Sequence, residues 1–186
     1  MREDFKATMG ELDTTKLHFV DECATHDAMV PTHGRAPRGE RATGTKPKAK
    51  GRHLTVIGSL SLRSGLDVSP WQGSMKGADF ASWVECMLLP RLREGDIVIL
   101  DNCSIHKVDE VAAMVESRGA SIRWLPPYSP DLNPIEEAWS KFKSILRRIG
   151  ASTMDMLVEA VTEAAGQVTI SDTMGYVRHA GYSAST

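Results

Sequence analysis

The sequence predicts an α/β fold in which helices cover a central mixed sheet. Three observations carry that prediction. Short apolar runs recur along the chain, as in LHFVD, LTVIGSLSL and IVIL. Between and after them lie longer segments whose apolar residues repeat at helical spacing. The length, 186 residues, suits one domain with a real core and is too short for two comfortable ones.

Leu17 to Asp21 reads as a strand, with Leu17, Phe19 and Asp21 on one face and His18, Val20 and Glu22 on the other. Residues 31 to 53 contain Pro31, Gly34, Pro37, Gly39, Gly44, Pro47 and Gly51, which predicts a loop or loose hairpin. Leu54 to Leu62 and Leu66 to Trp71 form a strand pair around a turn at Arg63-Ser64-Gly65. Gly77 to Leu89 is helical, with Phe80, Trp83, Val84, Met87 and Leu88 as its apolar stripe and Pro90 as its stop. Ile97 to Leu100 has the all-apolar character of a strand buried on both faces.

Val108 to Ser117 is a helix with Val108, Val111, Ala112 and Val115 inward, stopped by Gly119; Ser121 to Leu125 is a further strand. Ile135 to Ile149 carries the clearest stripe: Ile135, Ala138, Trp139, Phe142, Ile145, Leu146 and Ile149. Ser152 then caps a last helix with Met154, Leu157, Val158, Val161 and Val168 inward. The expected organisation is a lead-in over 1–16, one domain over 17–182 and a tail over 183–186.

Composition is ordinary for a globular chain, 41% hydrophobic and 25% charged. No apolar run approaches the ~18 residues of a membrane span, and the charged N-terminus MREDFKATMG has no secretory core. Cys23, Cys86 and Cys103 are odd in number and form no C-x-x-C pair, which argues against zinc and against a disulfide framework. A reducing cytoplasm is the expected compartment.

Net charge is −2, but it is unevenly spread. Between residues 35 and 52 stand Arg35, Arg38, Arg41, Lys46, Lys48, Lys50 and Arg52 against Glu40 alone, a local charge of +6. The rest of the chain therefore carries −8. A basic tract beside an acidic remainder suits a partner made of phosphodiesters, or it is a solvated loop.

Three acids stand out. Asp101 follows Ile97–Leu100, and Asp21 ends the run LHFV; an acid at the carboxyl end of a buried strand lies where α/β sheets place ligands. If the two strands pair, Asp21 and Asp101 project together. Glu136 opens the Ile135 helix, separated from Asp101 by 34 residues. Like charges held close cannot all ionise without help, and a pair of Mg²⁺ ions would supply that help and make the cluster a phosphodiester-cutting site.

Purely structural explanations exist for each acid. Asp101 could make an Asx turn beside Asn102. Asn133 could cap the helix, with Pro134 first in it and Glu136 completing a capping box. The rigid approach Pro126-Pro127-Tyr128-Ser129-Pro130 has no place in that explanation, but it would hold a first-turn acid firmly. Asn102, His106 and Asn133 are candidate supporting residues, His106 as a proton carrier, a phosphate contact or merely a cap. Asp131 and Glu137 are decoys. Lys143 and Arg147 follow Glu136 along its helix and, with Arg148 nearby, are candidate phosphate contacts or simply cations placed to suit the helix dipole.

The segments FVDE (19–22), THGRAPRGER (32–41), GDIVILDNCSIHK (95–107), LPPYSPDLNPIEEAW (125–139) and YVRHAGY (176–182) together resemble the catalytic domain of mariner-type DDE transposases, in the bacterial insertion-sequence branch. The resemblance covers nearly the whole chain. It implies an RNase H-like fold, with Asp21, Asp101 and Glu136 as ligands of two divalent metals, Mg²⁺ with Mn²⁺ able to substitute. It further implies DNA cleavage and strand transfer at transposon ends, with transposon-end and target DNA as partners, a dimer or higher oligomer on DNA, and a nucleoid-associated place in a bacterial cell. The basic residues Arg35 to Arg52, Lys143 and Arg147 become its candidate DNA contacts.

Two departures stand against the family pattern. The family's helix-turn-helix end-recognition region is not in this sequence, so end binding is expected from elsewhere, for instance an upstream-frame polypeptide. Cys23-Ala24-Thr25-His26 follows the first acid where the family often has an aromatic residue. The rival readings are a catalytically idle or truncated remnant that binds DNA and regulates, and a nuclease that cuts without joining.

Overall fold

A ten-residue strand, β1 (Leu17–His26), lies at the centre of the sheet and organises the rest. The computed structural model describes residues 2–45 and 51–183. Helix α1 (Arg2–Met9) precedes β1 and buries Phe5 and Met9 in the main core. Strands β2 (His53–Ser61) and β3 (Gly65–Gln72) form an antiparallel hairpin around residues 62–64. Helix α2 (Gly77–Trp83) carries the chain back to β4 (Ile97–Leu100), and α3 (Asp109–Ser117) leads on to β5 (Ser121–Trp124). Three helices close the chain: α4 (Ile135–Ile149), α5 (Met154–Gly166) and α6 (Ile170–His179).

The sheet order is β3-β2-β1-β4-β5, with β1 antiparallel to β2 and parallel to β4, and β4 parallel to β5. The alternation in β1 sorts its side chains onto two cores. Leu17, Phe19 and Cys23 join a cluster with α1, α4, α5 and α6, while Val20 joins Ile57, Val98 and Leu100 under α2 and α3.

The β1–β4 register fixes the two aspartates relative to one another. Leu17 pairs with Ile97 and Phe19 with Ile99, a constant offset of 80, which when continued brings Asp21 level with Asp101. Paired residues in a parallel ladder point to the same face, so the expectation that the two project together holds. One detail differs. Asp21 does not end its strand; β1 runs on to His26 because β2 goes on pairing with it as far as His53. Asp21 thus closes the parallel ladder while sitting inside the antiparallel one.

Other departures have local causes. The predicted helix 77–89 keeps α geometry only to Trp83; Val84–Leu88 then form a π-turn and Leu89–Arg91 a 3₁₀ turn. The extra residue in the wide turn shifts the stripe, and Met87 comes out exposed while Leu88 stays buried. Thr153, not Ser152, caps α5, its hydroxyl accepting from the Met156 N–H. Val168 lies beyond α5 yet is buried, and α6 follows as a helix the apolar pattern did not reveal. Its start is written in Thr169-Ile170-Ser171-Asp172, a reciprocal capping box.

Gly58 pairs with Asp21 on β2, and a Cβ there would lie 2.7 Å from Trp139 Cη2 and 2.8 Å from the Asp67 carbonyl oxygen. The absence of a side chain lets the indole of α4 lie against the sheet directly behind Asp21. Gly58→Ala is therefore expected to destabilise by about 1–3 kcal/mol through overpacking. Urea unfolding measures it; a stability equal to wild type would mean that Trp139 is not held there.

Candidate active site

The chain closes three carboxylates around one cavity. Asp21 comes from the middle of β1, Asp101 from the residue after β4, and Glu136 from the first turn of α4. All three line a cavity of ≈ 400 Å³ with Asn102, Leu125, Asn133 and the loop Pro126-Pro127-Tyr128-Ser129-Pro130. The structure therefore brings together every acid expected there, with the supporting Asn102 and Asn133.

Asp21 is largely buried, and its Oδ2 accepts a hydrogen bond from Trp139 Nε1 at 3.2 Å. Burial, then the neighbouring charge of Glu136, with smaller effects from Glu22 and Asp101, pushes its carboxyl up to about 7. Asp101 is held the other way. Its Oδ1 accepts from His106 Nδ1 at 2.7 Å and from the Cys103 N–H at 2.8 Å, and the His106 bond above all keeps its pKa below the usual carboxylate range. Both bonds fall on Oδ1; Oδ2 has no protein partner among the described residues.

The helix-capping explanation of Glu136 is not realised. Pro134 occupies the cap position of α4, and no side chain caps the helix. Asn133 is buried, but its Oδ1 has no hydrogen-bond partner among the described residues. The approach loop holds Tyr128 at a positive φ of 53° and leaves it 99% exposed. The decoys are engaged elsewhere: Asp131 with Arg2, Glu137 with His179.

His106 is neither a cap nor a surface residue; its side chain is fully buried. Its Nε2 lies 3.0 Å from both oxygens of Glu22, and its ring sits 4.7 Å from that of Phe80. Burial opposes a charge on the imidazole, but the hydrogen bonds to Asp101 and Glu22, with their charges, outweigh it and raise the pKa to about 10. Glu22 was legible only as an acid on the other face of β1. Its reach to His106 depends on β4 ending at Leu100, which nothing in β1 announces.

Asn102 donates from Nδ2 to the Leu125 carbonyl oxygen, tying the end of β4 to the chain after β5. None of the described candidate basic residues lines the acid cavity. Arg35, Arg38 and Arg41 are exposed in the loop after β1. Arg52 pairs with Asp27 at 3.0 Å. Arg147 lines a separate groove of ≈ 790 Å³ with His26, Met29 and His33. Lys143 sits near enough to Cys23 to work against the burial that pushes its thiol up to about 12. Lys46, Lys48 and Lys50 lie outside the described residues.

The donor set of the cavity is chemically suited to a hard divalent cation: carboxylate oxygens, with no thiolate or imidazole facing in. The raised pKa of Asp21 comes first from burial and then from the neighbouring charge of Glu136. The acids share a cavity but not yet a coordination sphere. Among the described residues, no group of three or more His, Cys, Asp and Glu side chains stands close enough to hold an ion unaided.

A sequence profile described as "DDE superfamily endonuclease" matches residues 16–157. No curated protein matches the sequence significantly. Among solved structures, the fold is similar to the Mos1 transposase paired-end complex with left transposon end, with a TM-score of 0.76, 13% identity, and coverage of 96% of this chain and 56% of that one. It is likewise similar to the Mos1 strand transfer complex, at TM-score 0.70 and 15% identity over 96% of this chain and 56% of that one. A third match is the mariner Mos1 paired end complex with Mg, at TM-score 0.55 and 15% identity over 99% and 61%. The chain thus spans little more than half the length of the transposase chains it matches. At these identities the likeness establishes the fold: the mixed five-stranded sheet flanked by helices is RNase H-like.

Proposed function

This chain belongs to the DDE superfamily endonucleases, and we propose that it is the catalytic domain of a transposase that cuts and joins DNA at the ends of a mobile element. The observation that carries the reading is the meeting of Asp21, Asp101 and Glu136 in one cavity while the acids on either side of Glu136 in sequence, Asp131 and Glu137, are engaged in ion pairs. One of the Mos1 structures is a complex with a transposon end and another contains Mg, which supports DNA as substrate and a divalent cation as cofactor. Placement in the bacterial insertion-sequence branch rests on the sequence motifs alone.

Asp21, Asp101 and Glu136 would hold two divalent cations, Mg²⁺ or Mn²⁺, which when bound supply Lewis-acid activation of the attacking oxygen and stabilise the leaving one. The protein's part is orientation. Trp139 fixes one oxygen of Asp21, and His106 with the Cys103 N–H fixes one oxygen of Asp101. The proline-bounded loop sets the first turn of α4, and so Glu136. A water attacking phosphorus in line, with departure of the 3′ oxygen, nicks a strand. A DNA 3′-hydroxyl in place of water joins two strands by the same displacement. The exposed ring of Tyr128 at the cavity mouth offers a surface on which an unstacked base can lie. The exposed arginines after β1 would contact phosphates.

The test is a plasmid assay in Mg²⁺, with pre-cut 3′-hydroxyl oligonucleotides as donors. Nicked circles together with donor–plasmid joints are the expected products. Nicks without joints would indicate a nuclease, and neither product would indicate an idle domain.

A second expectation follows from Asp21. Its folded pKa, about 7, lies above the ordinary 3.8. The folded chain therefore keeps a proton that the unfolded chain releases, and without cation stability falls as pH rises from about 4 to about 7. A bound cation removes that penalty and competes with the proton. Mg²⁺ should raise the melting temperature more at about pH 8 than at about pH 5. An equal rise at both would show that Asp21 is not a ligand.

A further inference from the structure

Glu22 has no place in the cation-binding set, yet it is tied to the site through one buried ring. His106 lies with Nδ1 2.7 Å from Asp101 Oδ1 and Nε2 3.0 Å from both Glu22 oxygens. Ionised carboxylates can only accept hydrogen bonds, so this geometry requires both ring nitrogens to donate. The ring has no freedom to turn away. Its side chain is fully buried, its ring packs against that of Phe80 at 4.7 Å, and a hydrogen bond holds each of its two nitrogens.

We infer that Glu22 is a positioning residue for Asp101, acting through His106, and that the pair sets which oxygen of Asp101 is free to bind a cation. The inference rests on the reading of Asp101 as a ligand. A terminal carboxylate turns easily about its last bond. Two hydrogen bonds on Oδ1, from His106 and the Cys103 N–H, stop that rotation and leave Oδ2 for the cavity. Glu22 does the same for the ring. Without it, Nε2 would be a buried donor with no acceptor, and the ring would lose its reason to hold Nδ1 against Asp101. This arrangement has the form of an outer set of hydrogen bonds that orients a metal-binding group. It also gives the strand alternation a use: Asp21 and Glu22, adjacent in sequence, serve the site from opposite faces of β1.

The experiment uses the full chain and the variants Glu22→Gln, Glu22→Ala, His106→Asn and His106→Ala, with Asp101→Asn as the reference. Mn²⁺ binding is followed by the electron paramagnetic resonance of the free ion, nicking is measured per folded molecule, and thermal melting controls for folding. Glu22→Ala and His106→Ala should each weaken Mn²⁺ binding and nicking by about 10- to 100-fold. His106→Asn should recover much of both, because its amide nitrogen can take the place of Nδ1 against Asp101 without reaching Glu22. Glu22→Gln, which keeps one acceptor for Nε2, should fall between wild type and Glu22→Ala.

If Asp101→Asn is inactive while the Glu22 and His106 variants bind Mn²⁺ and nick as wild type does, the positioning role is wrong and the site reading stands. If Asp101→Asn itself nicks normally, the premise fails and the inference with it. Should the alanine variants not fold, ¹⁵N-imidazole spectra of the wild-type chain decide. Two slowly exchanging ring N–H protons on His106 are expected, and a single one would overturn the bridge.

Discussion

Asp101→Asn is expected to abolish strand cleavage while leaving the domain folded. The substitution keeps the shape of the side chain. An amide oxygen can still accept from His106 and from the Cys103 N–H, so the turn after β4 has no reason to open. What it removes is one of three negative charges around the cavity. If Asp101 helps to hold the cations, the loss should be about 1,000-fold or more, about 4 kcal/mol of transition-state stabilisation. Glu136→Gln should behave likewise, since Glu136 is exposed, makes no cap and has no structural duty on α4. Asp131→Asn is the matched control: the same change, three residues from the cavity-lining Tyr128, at an acid paired with Arg2. It should leave nicking per folded molecule near wild type. Nicking by Asp101→Asn and Glu136→Gln at the wild-type rate would mean that the cavity is not where phosphodiesters are cut.

Replacing Arg35, Arg38 and Arg41 together by alanine is expected to weaken DNA binding strongly without touching the chemistry. The three are exposed in the loop after β1, away from the acid cavity. For every phosphate that an arginine no longer neutralises, the dependence of log affinity on log salt should flatten by about 0.9. The triple variant should therefore give up as much as about 3 of slope. Because phosphate contacts carry no sequence information, the weakening should be equal on transposon-end and random DNA. Wild-type affinity should itself fall steeply with salt. Gel-shift titrations over a range of salt measure both. An unchanged slope would make the tract a solvated loop.

The parts of the fold legible in the sequence are those in which one residue pattern meets one environment. Ile97–Leu100 is buried on both faces and reads so; the α4 stripe is nearly uninterrupted and its bounds coincide with the helix. The meeting of Asp21 with Asp101 followed from strand faces and needed only the parallel pairing of β1 with β4. What the sequence hid depends on tertiary context. The π-turn at Val84–Leu88 leaves the composition of a helix unchanged while turning Met87 outward. A capping box at α4 was chemically reasonable, but Pro134 takes the cap and the Asn133 Oδ1 is left without a partner among the described residues. The Glu22–His106–Asp101 bridge joins residues as much as 84 apart in the chain, and no local pattern encodes it. Trp139 reads as one more apolar member of a stripe, although its indole nitrogen serves Asp21. The same context explains why α6 was missed: its signal is a cap, not a periodic face.

Titration of the DNA-bound chain with Mn²⁺, wild type against Asp21→Asn/Asp101→Asn/Glu136→Gln, tests whether these three side chains make a cation site. Saturable binding to wild type, approaching two ions per chain, and none to the triple variant is the predicted result. Equal uptake by both, or no uptake by wild type, would contradict it.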